Sequence, residues 1–217
     1  MDIIDFIELT NEKRFYQKAD FHLTNIQGKI DLYNTVKFDF TIEYQGVLGQ
    51  EDMQMWTLTA HRCHYFHNMF QNIYLPYIKL RLLEEHPLLW NYKSNIAHCE
   101  LIGYPKDINT FLGQIYQAYI KVSGNWIQAT EHFFATEYAY KENGKKHIQI
   151  PENLSASIEQ ICQIHDIDFQ IMKIEEQDKY KFNNVKVLIL GNEDISPYDF
   201  NLKQPYIIAD DFFANKL

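Results

Sequence analysis

The stretch DINTFLGQIYQAYIKV, residues 107–122, carries its large apolar side chains at alternating spacings of three and one. These side chains are Ile108, Phe111, Leu112, Ile115, Tyr116, Tyr119 and Ile120. The spacing places them on one face of an amphipathic helix, because a helical turn takes between three and four residues. Asp107 can accept the first free backbone N–H groups, and Ser123-Gly124 offers a residue that tolerates a left-handed end. We therefore predict a helix with one buried face.

Segments before this helix alternate apolar and polar residues, which is the pattern of half-buried β-strands. Residues 38–44 and 53–60 show it most clearly and predict a hairpin. Residues 73–83 and 96–102 predict further strands, and Pro76 is expected at a strand start or a sheet edge because it has no N–H to donate. The predicted fold is α+β: an antiparallel sheet covered by the amphipathic helix of residues 107–122.

The chain beyond residue 150 predicts a second group of elements. Asn153 is expected to cap a helix, and strands follow at 167–174 and 185–190. An Asn-Gly-Lys-Lys turn just before this group is the natural boundary. The expected division is residues 1–142, an antiparallel sheet plus helix, and residues 151–217, an acidic helix-strand-strand extension that either continues the same domain or forms a small lobe.

The composition is ordinary for a soluble globular protein, with 46% hydrophobic and 23% charged residues in a chain of 217. The first residues, MDIIDFIELTNEKRF, are acidic where a secretory signal is basic, and no apolar run reaches the roughly 20 residues of a membrane helix. Cys63, Cys99 and Cys162 are odd in number and far apart, which favours a reducing compartment. A cytoplasmic location is expected.

Acidic residues are concentrated in the last third of the chain. From Pro151 onward there are 6 Lys and no Arg against 12 Asp and Glu, a net charge of −6 within a total of −9. Such a field disfavours nucleic acid and anionic membranes and attracts basic proteins. Solubility is the simpler explanation, and an acidic face for a basic partner is the functional one. The expected partner contacts are Glu175, Glu176, Asp178, Glu193, Asp194 and Asp210.

A histidine-rich stretch, His61 to His67, offers the ligands that zinc and other transition metals prefer. On a helix, His61 and His64 or His64 and His67 would share a face. On a strand, residues three apart point to opposite faces and no site would form. The simpler interpretation is a polar turn. A metal site of His61, His64 and His67 would indicate a small metal-dependent enzyme or a metal-binding protein.

Other patterns point to little chemistry. Glycine-rich phosphate-binding motifs are absent, and basic residues do not cluster with aromatics as they do in nucleic-acid grooves. Cys162 and His165 are interpreted as core positions because Ile158 and Ile161 share their helix face. We assign no catalytic residues and no cofactor. The 15 Phe, 15 Tyr and 3 Trp allow a third alternative, a small-molecule binding module with an aromatic-lined pocket between helix and sheet.

Three segments occur in a recognisable order: His86-Pro87-Leu88-Leu89-Trp90, then Ile115-Tyr116-Gln117-Ala118-Tyr119, then Gly124-Asn125-Trp126-Ile127. Together they resemble an uncharacterised bacterial domain family in which a strand ending in HPLLW precedes a helix and a small-x-W-I motif. The resemblance covers residues 56–133. It implies a bacterial source and a compact α+β domain, and it carries no activity with it.

The function that these observations favour is a noncatalytic, cytoplasmic bacterial interaction protein. Its acidic surface is expected to bind and neutralise a toxin with a basic surface, as immunity and antitoxin proteins do. Three features support this interpretation: the lack of a coherent catalytic set, the acidity of the chain and the concentration of that acidity in one third.

Overall fold

A computed structural model describes residues 2–12, 19–29, 34–44, 53–70, 73–76, 79–124, 126–133, 144–178, 181–191 and 204–217. The chain forms two compact units, one made of Met1–His86 with Asn184–Leu217 and the other of Pro87–Asn183. The predicted boundary between residues 142 and 151 falls inside the second unit, because that unit is an insertion between two parts of the first. None of the helices within the described ranges is both long and apolar enough to cross a membrane.

The described residues form ten strands and four α-helices. The strands are β1 (Ala19–Lys29), β2 (Thr35–Tyr44), β3 (Met53–His67), β4 (Ile73–Pro76), β5 (Lys79–Leu83), β6 (Ile96–Ile102), β7 (Lys145–Pro151), β8 (Asp168–Glu175), β9 (Lys186–Gly191) and β10 (Tyr206–Lys216). The helices are α1 (Ile3–Asn11), α2 (Trp90–Lys93), α3 (Ile108–Ser123) and α4 (Glu152–Ile164).

The first unit contains an antiparallel sheet of seven strands in the order β4-β1-β2-β3-β10-β9-β5. The predicted hairpin is confirmed: β2 and β3 are antiparallel neighbours, with Phe38 opposite Leu58. The single strand predicted over residues 73–83 is instead two strands, β4 and β5, at opposite edges of the sheet. Pro76 ends β4, an edge strand of this sheet. A proline is tolerated there because its missing N–H does not interrupt hydrogen bonding to strands on both sides.

This sheet is curled around one apolar core. Leu75 of β4 and Leu80 of β5 come from the two edges and belong to the same buried cluster. Helix α1 adds Phe6, whose ring centroid lies 4.5 Å from that of the buried Trp56. Asp2 caps this helix by accepting the backbone N–H of Ile4. The apolar face of α1 therefore closes part of the core that the strands leave open.

The second unit contains an antiparallel sheet of three strands in the order β7-β6-β8. The central strand β6 buries Cys99 and Leu101 in a cluster that also holds Phe111 and Ile115 of α3. Helix α4 contacts all three strands, and α3 packs against α4. The amphipathic helix of residues 107–122 therefore belongs to the unit with the small sheet, whereas the hairpin of residues 38–60 belongs to the other unit.

Both predicted ends of α3 are confirmed. The carboxylate of Asp107 accepts the backbone N–H of Asn109 at 2.9 Å and that of Thr110 at 3.3 Å. At the other end Gly124 has φ 61°, the left-handed conformation that glycine adopts without a steric cost. Phe111 and Tyr119 are buried as expected, while Tyr116 is exposed.

The expected cap of α4 is wrong. Pro151 stands at the cap position, and Asn153 lies inside the first turn. The helix follows β7 directly, so its free N–H groups meet the loop before β6: the backbone N–H of Glu152 donates to the carbonyl of Asn95 at 2.9 Å. The side-chain amide of Asn95 also donates to the Glu152 carboxylate at 2.9 Å. A long-range contact therefore replaces the local cap.

Candidate functional site

Strand β8 is an edge of the small sheet and carries exposed apolar side chains. Among the described strands it pairs with β6 alone. Ile171 is 44% exposed, Met172 61% and Ile174 43%. Three large apolar side chains within four residues are unusual on a sheet edge, because an apolar edge tends to associate with other chains.

The pairing with β6 explains why these side chains are exposed. Ile171 lies opposite Cys99 and Ile174 opposite Ala97, and both β6 partners are buried. The side chains of Ile171 and Ile174 therefore lie on the same face of the sheet as the buried Cys99 and Ala97. They belong, however, to the edge strand β8 and not to the central strand β6. Met172 is the extra residue where the register shifts, so it bulges from the regular ladder.

Three acidic residues follow this apolar group. Glu175, Glu176 and Asp178 are all exposed. The carboxylate of Glu175 lies 3.0 Å from Nε2 of His98, and Asp178 accepts the backbone N–H of Lys181 at 3.2 Å. We call the set of Ile171, Met172, Ile174, Glu175, Glu176 and Asp178 the acidic edge. It combines the exposed apolar side chains of β8 with a charged group at the end of the strand and just beyond it.

The other acidic residues expected to contact a partner do not join this group. Glu193 and Asp194 lie outside the described residues. Asp210 belongs to the first unit and is 5% exposed, so it does not offer an exposed carboxylate. It accepts from Nε2 of His64 at 2.7 Å, and Nη1 of Arg62 lies 3.4 Å from its other oxygen. These two contacts within the first unit engage both of its carboxylate oxygens.

His61, His64 and His67 all lie on β3 and do not converge. His64 contacts Asp210, while the ring of His67 stacks on Tyr206 with centroids 5.2 Å apart. His61 lies opposite Asp211 on the neighbouring strand. Within the described ranges, no group of three or more His, Cys, Asp or Glu side chains could hold a metal ion. The histidine stretch is neither a helix nor a turn, so the spacing of three produces no shared face.

A pocket of about 370 Å³ opens beside His64 in the first unit. It is lined by Gly28, Asn34, Val36, Cys63, His64, Tyr65 and Phe66. The aromatic-lined pocket was expected between a helix and a sheet, whereas the residues that line this pocket come from β1, β2 and β3 and from Asn34 beside β2.

The three thiols are poor nucleophiles. Burial raises the pKa of Cys63 to about 11 and that of Cys99 to about 11. Burial, with the neighbouring Cys99 and Glu159, raises the pKa of Cys162 to about 12. Nε2 of His165 donates to the side-chain amide oxygen of Gln114 at 2.9 Å. Because the thiolate is the reactive form, these pKa values favour the interpretation of Cys162 as a buried core residue.

Sequence reasoning missed the apolar part of the acidic edge. Residues 171–174 read IMKI, with apolar side chains at both odd and even positions. In a strand this pattern normally indicates burial on both faces. The structure places these residues on an edge strand, so the same pattern here accompanies apolar side chains that are exposed within the described part of the chain. Comparison with known proteins finds no matching family model, no similar curated protein and no similar solved structure.

Proposed function

We propose that this chain is a noncatalytic protein-interaction protein of the immunity or antitoxin type, which binds a basic partner protein through the acidic edge. The observation that carries the proposal is the arrangement of β8, where Ile171, Met172 and Ile174 are exposed and three carboxylates follow directly. Protein interfaces have an apolar centre with a polar rim, and methionine is enriched in them.

The apolar side chains would contribute most of the binding free energy. The carboxylates would increase the association rate and the selectivity for a basic partner. Burying an exposed Ile or Met side chain against a partner contributes about 1–2 kcal/mol. Carboxylates at the rim attract a basic surface and raise the association rate, and this effect weakens as salt increases. The existing pair between Glu175 and His98 is partly exposed, so exchanging it for a partner's Lys or Arg costs little.

Recognition is expected through side chains and not through addition of a long strand. The bulge at Met172 interrupts the regular edge, and Lys173 adds a positive charge beside it. Both features hinder continuous pairing with another strand. A partner with a basic rim around a shallow apolar recess fits this edge better than an extended peptide.

Two further inferences accompany the proposal. We place the protein in the cytoplasm, a location supported by its three cysteines, all of which have free thiols.

We also infer that α3 and α4 together cover the small sheet, because Phe111 and Ile115 share one core with Cys99 and Leu101. With that face covered, the exposed edge strand β8 remains available to a partner.

Affinity purification from the native host tests the proposed function. One bait carries Glu175→Lys, Glu176→Lys and Asp178→Lys, and a second carries Ile171→Thr and Met172→Thr. The matched control reverses the same number of exposed acids elsewhere, at Glu8, Glu12 and Asp211. A basic protein should be retained by the wild type and the control, released by added salt, and lost from both edge variants.

The captured protein must then behave as a toxin. Its expression alone should stop growth, and co-expression with the wild-type chain should restore growth where the edge variants fail. Equal capture by the wild type and both edge variants would contradict the proposal, as would a captured protein that is not inhibited by this chain.

A further inference from the structure

One carboxylate of the acidic edge is already bound to a histidine. Nε2 of His98, on the central strand β6, lies 3.0 Å from a carboxylate oxygen of Glu175, the last residue of β8. The side chains of His98 and Glu175 are 30% and 54% exposed, so protons in the solvent reach both. An ionised carboxylate only accepts hydrogen bonds, so Nε2 donates in this contact whether the ring is neutral or protonated.

His98 lies on the face of the small sheet that is turned away from its core. Ala97 and Cys99, the residues on either side of it, belong to the buried cluster, and successive residues of a strand point to opposite faces. Glu175 shares the face of His98, because it lies opposite Ile96, two residues earlier on β6. The contact between His98 and Glu175 is therefore a diagonal pair across two neighbouring strands.

Other charged side chains of the three strands share this face. Lys173 lies directly opposite His98, so its charge opposes a protonated imidazole, whereas the carboxylate of Glu175 favours it. The remaining charged or titratable residues on this face of β6, β7 and β8 are Glu100, Lys145, His147 and Asp168. Two lysines and three carboxylates give this face a charge of −1, and protonation of both histidines changes it to +1.

The protonation state of His98 changes the charge that the acidic edge presents. Histidine is the side chain whose charge normally changes between about pH 5 and 8, while carboxylates stay ionised there. With a neutral imidazole, Glu175, Glu176 and Asp178 together carry −3. With a protonated imidazole, a positive charge lies 3.0 Å from Glu175, and the group of four residues carries −2.

We propose that His98 regulates the acidic edge, so that the edge binds a basic partner more weakly on mild acidification. This inference rests on the proposed function, because it concerns the same surface. A lysine or arginine of the partner either takes the place of His98 on Glu175 or approaches beside it. A neutral imidazole is displaced at little cost, whereas a protonated one must leave an ion pair or stay close to a second positive charge. Binding of a cation therefore favours release of a proton from His98.

Hexalysine is the probe that tests this inference on the full chain, because its ammonium groups stay charged between about pH 5.5 and 7.5. An NMR titration at constant low ionic strength follows the backbone amides of Met172, Glu175 and Glu176. The dissociation constant should rise by about 3-fold between these pH values, which is the effect of one charge at roughly 6 Å in water.

Two variants assign the pH dependence to one histidine. His98→Gln removes the titrating ring and keeps a hydrogen-bond donor for Glu175, so it should lose most of the change in the dissociation constant. The matched control is His22→Gln. Nε2 of His22 also lies near a carboxylate, that of Glu43 at 3.9 Å, but Glu43 is not part of the acidic edge. This control should keep the wild-type pH dependence.

Calorimetry supplies a second readout that depends on the proton itself. Titrations of hexalysine near neutral pH in two buffers with different enthalpies of ionisation give the number of protons released on binding. The wild-type chain and His22→Gln should release protons when hexalysine binds, and His98→Gln should release fewer. A purely structural role of His98 would leave this number unchanged.

The outcomes separate this inference from the proposed function. Weaker binding at the lower pH in the wild type and in His22→Gln, with loss of that dependence in His98→Gln, would support the inference. Equal dissociation constants at both pH values, or a pH dependence that persists in His98→Gln, would overturn it and leave the proposed function standing. If hexalysine shifts none of the edge amides at either pH, the acidic edge is not a site for basic partners, and both proposals are wrong.

Discussion

The carboxylate of Asp210 accepts a hydrogen bond of 2.7 Å from Nε2 of His64, a residue 146 positions earlier in the chain. This bond joins β10 to β3, which are neighbours in the large sheet. It links the last strand to an early one across an inserted unit. The first unit is therefore complete only when both ends of the chain are present.

Replacing Asp210 with alanine should destabilise the first unit. A charge-assisted hydrogen bond to a buried carboxylate is worth about 1–3 kcal/mol, and its loss leaves His64 without this partner. Urea unfolding should show that loss in the free energy of unfolding. The matched control is Asp211→Ala, one residue along the same strand, where the exposed carboxylate should contribute within about 0.5 kcal/mol. Equal effects of the two substitutions would contradict the role given to Asp210.

Two glycines of one helix should respond to alanine in opposite directions. Gly124 has φ 61° at the end of α3, so Gly124→Ala should cost about 1 kcal/mol of unfolding free energy. Gly113 lies within α3, and an added Cβ meets nothing within 4 Å, so Gly113→Ala should stabilise by about 0.5–1 kcal/mol. Thermal unfolding measured under identical conditions checks both values. A stabilising Gly124→Ala would show that the end of α3 is misplaced, and a destabilising Gly113→Ala would contradict the open space beside Gly113.

The stability of the protein should fall on mild acidification because of His86. Burial, with the nearby positive charge of Arg81, lowers the pKa of His86 from 6.5 to about 4. Between these pH values the unfolded chain binds a proton at this residue that the folded chain does not bind. The free energy of unfolding should therefore decrease as the pH falls through this window, by about 1–3 kcal/mol after allowance for partial exposure.

The variant His86→Gln isolates this contribution. Urea unfolding at several pH values should show a weaker pH dependence for His86→Gln than for the wild type. A wild-type slope that survives in His86→Gln would mean that other groups cause it.

Cys63 should be slow to alkylate in the folded protein. Burial raises its pKa to about 11, and only the thiolate attacks iodoacetamide. At neutral pH the rate should be roughly 100-fold below that of the same cysteine in urea, and it should rise about tenfold per pH unit toward pH 10. Mass spectrometry of the labelled peptide measures this rate. A fast rate that is independent of pH would contradict the raised pKa of this partly buried thiol.

Local patterns in the sequence were sufficient to predict α3 and the β2–β3 hairpin. The ends of α3 depend on Asp107 and Gly124, which act within one helical turn of their own positions. The pairing of β3 with β10 depends on residues far apart in the chain and has no local signal. The same reason explains why the inserted unit and the division of residues 73–83 into β4 and β5 were not anticipated.

The candidate sites could be predicted only in part, because they too depend on contacts between residues that are far apart in the chain. Glu175, Glu176 and Asp178 are exposed, but Asp210 is buried. Asp210 and Asp211 are neighbours on one strand, yet the first is buried and the second is exposed. Nothing in the sequence indicates which of the two is buried, because the partner His64 lies on another strand. The metal interpretation of the histidines likewise depended on a helix that the chain does not form there.

Photo-crosslinking in the native host tests the central claim most directly. A photoreactive residue replaces Met172 at the centre of the acidic edge, and a control replaces Tyr116, which is also exposed but lies on α3. Position 172 should crosslink to a protein with a basic surface, position 116 should not, and reversal of Glu175, Glu176 and Asp178 should abolish the product. No crosslink at 172, equal products from both positions, or a product formed only with a second copy of this chain would contradict the account.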